Sequence, residues 1–266
     1  MQFEAISIEG LSHRFLSRTR PPTTALTDVN CIFPAGKVTA IVGPSGCGKS
    51  TLLLILRGLV EASSGKVRFL YGDGSGQRSA GEAPRMATVW QSFNLLPWRS
   101  VLDNVAFGLE LAGVPLAERQ AKAAEAIKAV ELAGFEKHYP GQLSGGMKQR
   151  VGLARGLVQS PDILFLDEPF GALDAQTRLY LQEQLSSLVE TSAKTVILIT
   201  HSIEEAIFLA DHVVVMTARP GRIAKSLDID LARPRGIDVQ NDKRFGEYFS
   251  EIYGLLRDEV RKAMMN

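Results

Sequence analysis

The chain has 266 residues, 45% hydrophobic and 22% charged, a balance that excludes a wholly disordered protein and a collagen-like repeat. Lys and Arg total 30 against 29 Asp and Glu, a net charge of +1, so no global field draws the chain onto nucleic acid. Two cysteines, Cys31 and Cys47, cannot build a disulfide scaffold and point to a reducing compartment, and no stretch reaches the roughly 18–20 apolar residues of a membrane span. The opening Met-Gln-Phe-Glu-Ala has no positive region followed by an apolar one, so no secretory signal is expected. Any membrane role must come through a partner.

Residues 3–9 alternate apolar and polar and predict a strand; 18–24, polar with two prolines, predict a loop. Strands are expected over 27–33 and 37–42, separated by the turn Pro34-Ala35-Gly36. A glycine-rich loop follows, then a helix over 49–60, a strand over 66–70, an exposed hairpin loop over 71–84 and a strand over 87–91. From 101 to 158 the period becomes helical and the composition rich in Ala, Leu, Glu and Lys. A helical subdomain of about 98–158 is therefore expected, inserted in an α/β core. Strands at 162–167, 194–200 and 212–217 alternate with helices at 174–191 and 203–210, and 222–229 adds an edge strand. Phe245, Tyr248, Ile252, Leu255 and Leu256 fall at helical spacing, so residues 241–266 read as an amphipathic helix packing on a core of residues 1–240. This alternation predicts a mostly parallel sheet covered on both faces.

Three stretches carry chemistry. Gly43-Pro44-Ser45-Gly46-Cys47-Gly48-Lys49-Ser50 matches the phosphate-loop pattern, between an apolar strand and a helix. Glycines let backbone N–H groups turn inward around phosphate oxygens, and the helix directs its positive end at the same anion. Lys49 supplies a point charge to β- and γ-phosphates, and Ser50 a hydroxyl to Mg²⁺. Cys47 reads as a small filler. Second, Ile163-Leu164-Phe165-Leu166-Asp167-Glu168 is an apolar strand ending in two acids. Asp167 suits a water-mediated contact to Mg²⁺, and Glu168 suits taking a proton from attacking water. Third, in Leu143-Ser144-Gly145-Gly146-Met147-Lys148-Gln149-Arg150, Ser144 reads as a helix N-cap. This is either an ordinary capped helix or a second helix start able to hold phosphate.

Together these motifs resemble the ATP-binding subunits of ABC transporters. That resemblance implies an ABC ATPase fold, with a P-loop core, an antiparallel β subdomain and the inserted helical subdomain. It extends the phosphate loop to Thr51 and identifies Gln91, ending a strand, with the Q-loop, where it would also meet the metal. Gly171-Ala172-Leu173-Asp174 resembles the D-loop, His201 the switch histidine, and Phe15 the aromatic residue that stacks on adenine. It further implies a homodimer on ATP binding, each nucleotide held by one copy's phosphate loop and by Ser144, Gly145 and Gly146 of the other. Membrane permease subunits would be direct partners, and a periplasmic or extracellular solute-binding protein an indirect one. The chain would lie peripherally on the cytoplasmic face of the inner membrane.

The words Asn94-Leu95-Leu96-Pro97-Trp98, Val101-Leu102-Asp103-Asn104-Val105 and Ala218-Arg219-Pro220-Gly221-Arg222-Ile223 resemble, more narrowly, the nitrate/sulfonate/taurine importer branch. Trp90 stands where the family usually has Phe, and Ser202 where it usually has Asp, a change bearing on the order of the switch loop. His13, His138 and His212 read as packing or surface residues, and Arg78, Arg85, Arg99 and Arg119 as a solvated face. Leu95, Leu96 and Trp98 are either a minor core cluster or a docking surface, with docking preferred. The rival function is a soluble ABC ATPase in an assembly process such as iron–sulfur cluster building, against which the two loop words argue. The solute itself is set by other chains.

Overall fold

Apolar runs without polar interruption become central strands here, and alternating runs become a half-exposed antiparallel sheet. The computed structural model describes residues 3–16, 21–72, 84–171, 173–192 and 194–265. Most of the expected loop over 71–84, with Arg78, lies outside the described residues, as do residues 18–20 and Ala172. In chain order the elements are β1 (Phe3–Phe15), β2 (Thr23–Pro34), β3 (Val38–Val42), α1 (Lys49–Leu56), β4 (Ser64–Tyr71) and β5 (Met86–Val89). Then come α2 (Val101–Leu111), α3 (Leu116–Ala129), α4 (Gly145–Leu157), β6 (Ile163–Asp167) and α5 (Ala175–Ser192). The chain closes with β7 (Thr195–Thr200), α6 (Ile203–Leu209), β8 (His212–Met216), β9 (Ile223–Asp228) and α7 (Lys243–Met265). The contacts divide it into two compact units, Met1–Pro84 with Ser186–Asn266, and Arg85–Leu185.

The first unit holds an antiparallel sheet in the order β2-β1-β4. It also holds parallel β7-β3-β8, edged by antiparallel β9. Every residue of β3 and β7 is buried, which is why neither alternates in sequence. β1 runs past the expected end at residue 9. Gly10, at φ +57° and tied through its amide to Asn30 Oδ1 at 2.7 Å, sits in a register shift that continues the strand out of phase. α1 stops at Leu56 rather than 60, because Gly58 turns left-handed at φ +69°. α7 packs on α6 and β8, burying Phe245 and Ile252, and Tyr248 Oη accepts the Asp230 N–H.

The second unit pairs β5 with β6 in parallel and packs α2, α3 and α4 together, α4 also against β5. Gly156 lets α4 approach the strands, since a Cβ there would lie 3.3 Å from Leu164 and Val89. The helical stretch is interrupted between α3 and α4 by turns and a short 3-10 segment, Pro140–Gln142. Two expectations need correction. β5 ends at Val89, so Gln91 does not end a strand; it stands in the bend beyond, where its side chain is taken up by Glu168. Arg99 and Arg119 are not a solvated face: both pair with Glu110, at 2.7 and 3.5 Å, and Arg99 also covers the Phe107 ring. The histidines serve packing and pairing. His13 is buried, His138 lies against Phe135, and His212 Nδ1 meets Asp228 at 2.9 Å. Among the described residues, no helix is long and apolar enough to cross a membrane.

Candidate functional site

The phosphate loop belongs to the first unit, between buried β3 and α1. Gly46 (φ +73°) and Gly48 (φ +109°) take conformations that a side chain resists, and a Cβ on Gly48 would fall 2.7 Å from Leu26 Cδ2. Gly48 is the N-cap of α1 and offers no side-chain acceptor, so the first-turn N–H groups are left for an outside anion. Gly43 is crowded by Cys47 Sγ and Met216 Cβ, at 2.8 and 3.1 Å from where its Cβ would stand. Lys49 is buried, and its Nζ bridges back to the carbonyls of Gly43 at 2.8 Å and Pro44 at 3.1 Å. It also lies 4.0 Å from Cys47 Sγ. An ammonium held by neutral acceptors is ready to exchange them for phosphate oxygens. Ser45 and Ser50 are exposed, Pro44 and Thr51 half-buried. Cys47 is buried, and burial pushes its thiol up against the opposing pull of Lys49, so it stays neutral and serves as packing.

Two other candidates lie in the same unit. Phe15 ends β1 with 46% of its surface open, its ring met edge-on by His13 at 4.5 Å. A flat, open ring on a strand end can stack on a base. His201 is exposed directly after β7. Ser202 does not disorder this loop. Its N–H donates to Thr200 Oγ1, its Oγ caps the Glu205 N–H at 3.1 Å, and Thr200 Oγ1 donates to Glu205 at 2.7 Å.

The second unit brings Gln91 and Glu168 together: Gln91 Nε2 donates to Glu168 Oε2 at 3.0 Å. Glu168 follows the half-buried Asp167 and is held at φ +45°, an uncommon conformation for a side chain this size. The Gly171 N–H closes a turn on the Glu168 carbonyl, and a Cβ on Gly171 would meet both carboxylate and amide at 3.8 and 3.9 Å. Backbone strain of this kind concentrates at working positions. Ser144 caps α4, its Oγ accepting the Met147 N–H at 3.3 Å. A Cβ on Gly145 would make an ordinary contact with Leu173 Cδ2 at 4.0 Å, whereas one on Gly146 would fall 2.7 Å from Thr177 Cγ2. Asp174 accepts the Thr177 N–H at 3.0 Å, and that bond holds its carboxyl below the usual range.

Two groups escaped sequence reasoning. Fully buried Asn104 accepts the Leu96 N–H at 2.8 Å and donates to the carbonyls of Leu96, Arg99 and Ser100. Arg155 donates to the carbonyls of Phe93 and Asn94. Together they fix the loop after Gln91 and leave Trp98 71% exposed, which removes it from any core cluster. Asn104 lay within a noted loop word, but a polar side chain inside an amphipathic helix gives no sign of what it holds.

A buried strand, a bare glycine helix start and a lysine folded over the loop define a phosphate-binding α/β protein of the nucleotide-hydrolysing kind. A family model described as ABC transporter matches residues 26–171, more than half of the chain. The chain belongs to the ABC transporter family, with the fold of its ATP-binding cassettes. It is 46% identical to a taurine import ATP-binding protein of Rhizobium johnstonii, over 97% of this chain and 99% of that one. An uncharacterized ABC transporter ATP-binding protein of Methanocaldococcus jannaschii is 47% identical over 90% of this chain and 87% of its own. Among solved structures, a dimeric bacterial ABC transporter cassette superposes with a TM-score of 0.70. It is 31% identical and covers 85% of this chain and all of that one.

Proposed function

We propose that the chain is the ATP-hydrolysing subunit of an importer for a small sulfonate such as taurine. What carries the solute class is the near full-length likeness to taurine import proteins. What supports the chemistry is the geometry of each unit. In the first, Lys49 exchanges the Gly43 and Pro44 carbonyls for β- and γ-phosphate oxygens, while residues 43–51, Pro44 apart, present N–H groups to the phosphates and Phe15 stacks on adenine. In the second, Glu168 accepts the proton of a water whose oxygen attacks the γ-phosphorus as the bond to ADP breaks. Gln91 holds the Glu168 carboxylate in place, and His201 of the first unit is assigned to the γ-phosphate.

Ser50, Asp167 and Gln91 would hold Mg²⁺, which when bound neutralises phosphate charge. A hydroxyl, a carboxylate and an amide oxygen are hard donors suited to this ion. Among the described residues, no cluster of three or more His, Cys, Asp or Glu side chains could hold a metal ion by itself. The phosphates themselves would complete the ligand set.

A second copy would close the γ-phosphate with its Ser144, Gly145 and Gly146, and Asp174 would lie along the seam. The exposed Trp98 loop would dock on membrane permease subunits at the cytoplasmic face, with the solute-binding protein acting through them. The test is taurine uptake by a strain lacking this chain, together with phosphate release by the purified protein. Wild type restores both and Glu168→Gln neither. Phosphate release without restored taurine uptake overturns the solute assignment alone.

A further inference from the structure

The word Ala218-Arg219-Pro220-Gly221-Arg222 forms the turn between β8 and β9, and it is pressed against the phosphate loop. Arg219 Nε donates to the Gly46 carbonyl at 3.1 Å. Gly221 lies so close that a Cβ there would fall 2.1 Å from the Cys47 carbonyl oxygen. The turn is itself anchored on two sides. Gly221 exchanges backbone hydrogen bonds with Ala25 and Thr27 of β2, at 2.9 and 3.0 Å. Glu259 of α7, its side chain only 13% exposed, accepts the Ala218 N–H at 3.2 Å.

We propose that Arg219 is a positioning residue for the nucleotide, acting through the Gly46 carbonyl and braced by α7. This rests on the phosphate reading of residues 43–51. A trans peptide points its C=O and N–H in opposite directions. Holding the Gly46 carbonyl outward therefore turns the Cys47 N–H into the loop, where it donates to the Pro44 carbonyl at 3.3 Å. That bond is long and easily exchanged for a phosphate oxygen. Gly46, at φ +73° with no side chain, cannot fix this peptide by itself. Arg219 supplies the constraint that glycine gives up. Glu259 supplies the next link, since it holds the backbone from which Arg219 reaches.

The length of the side chain gives a sharp test. Gln Nε2 stands the same number of bonds from Cα as Arg Nε, so Arg219→Gln keeps a donor for Gly46 and removes the charge. Affinity for ATP is measured by calorimetry on the full chain, with melting temperature as the check on folding. Arg219→Ala is expected to weaken ATP binding about threefold to tenfold, the worth of one hydrogen bond. Arg219→Gln should stay close to wild type, and Glu259→Ala should weaken binding by less than Arg219→Ala. Unchanged affinity in Arg219→Ala overturns the proposal. So does an Arg219→Gln as weak as alanine beside an Arg219→Lys that binds normally, because charge rather than position would then be at work. Where Arg219→Ala melts early, the Gln and Lys variants decide the matter. Lys49→Ala separates the two readings. If wild type and Lys49→Ala bind ATP alike, the phosphate loop assignment fails and this proposal with it. If Lys49→Ala alone loses binding, only the Arg219 proposal is refuted.

Discussion

The two units begin their central helices in opposite ways. In the first, α1 starts on Gly48, left-handed and without a side chain, and its early N–H groups stay bare beside a buried lysine. In the second, α4 starts on Ser144, which already satisfies the Met147 N–H. A bare helix end beside a cation costs stability until an anion arrives, so it suits tight binding. A capped end is stable alone and can only add to an anion held elsewhere. In the second unit Glu168 shares a positive φ with Asn94, Glu131 and Ser160, and at Glu168 φ +45° and the Gln91 amide fix a carboxylate. On the proposed function, binding is concentrated in the first unit and turnover in the second.

The strongest way to break that division is Glu168→Gln. The amide keeps shape and a partner for Gln91 but cannot take a proton. Hydrolysis should fall about 10²–10⁴-fold, with ATP affinity nearly unchanged. An affinity loss as large as the rate loss would show that the second unit also binds. Lys49→Ala is the converse. Loss of charge-assisted bonds to phosphate should weaken ATP about tenfold to a hundredfold in titration calorimetry. Smaller again is a pair of glycine substitutions read by urea unfolding. Gly58→Ala meets open space and should cost only the left-handed penalty of about 1–2 kcal/mol. Gly48→Ala adds a 2.7 Å approach to Leu26 and should cost more, with weaker ATP binding besides. Equal costs would mean that Leu26 gives way and the bare helix start is less constrained than its geometry states.

What sequence reveals divides along the same physical line. The phosphate loop, the Ser144 cap and the acids after β6 are contiguous, so each motif contains the neighbours that give it meaning. β3, β7 and β8 were equally plain as apolar runs. The contacts that hold these motifs in place were hidden because they join distant residues. Gly46 and Arg219 are 173 positions apart, and nothing in Ala218-Arg219-Pro220-Gly221-Arg222 names its target. Glu110 gathers Arg99 across nearly the length of α2 and Arg119 across the following loop, so scattered charges looked solvated. The bulge at Gly10 broke the alternation of β1 and hid its second half. Gln91 was found by resemblance, but its place beyond the strand follows from a bond to Glu168.

The finest test of the comparison is made at Ser144, where one hydroxyl is asked to do two things. As a cap it stabilises α4; as part of a shared site it would meet the γ-phosphate bound by a second copy. Alanine and glycine both remove the hydroxyl but differ as caps. Ser144→Ala should lower unfolding stability by about 1 kcal/mol, whereas Ser144→Gly should cost only a few tenths. ATPase activity should fall alike in both, because neither can reach phosphate through that side chain. Unfolding in urea and phosphate release, measured on the same preparations, separate the two roles. Equal stabilities would remove the cap from the comparison, despite the 3.3 Å bond to Met147. Unfolding costs that differ as expected, with activity intact in both, would leave the hydroxyl as a cap only. The second helix start would then serve ATP through its backbone N–H groups, as is proposed for the first.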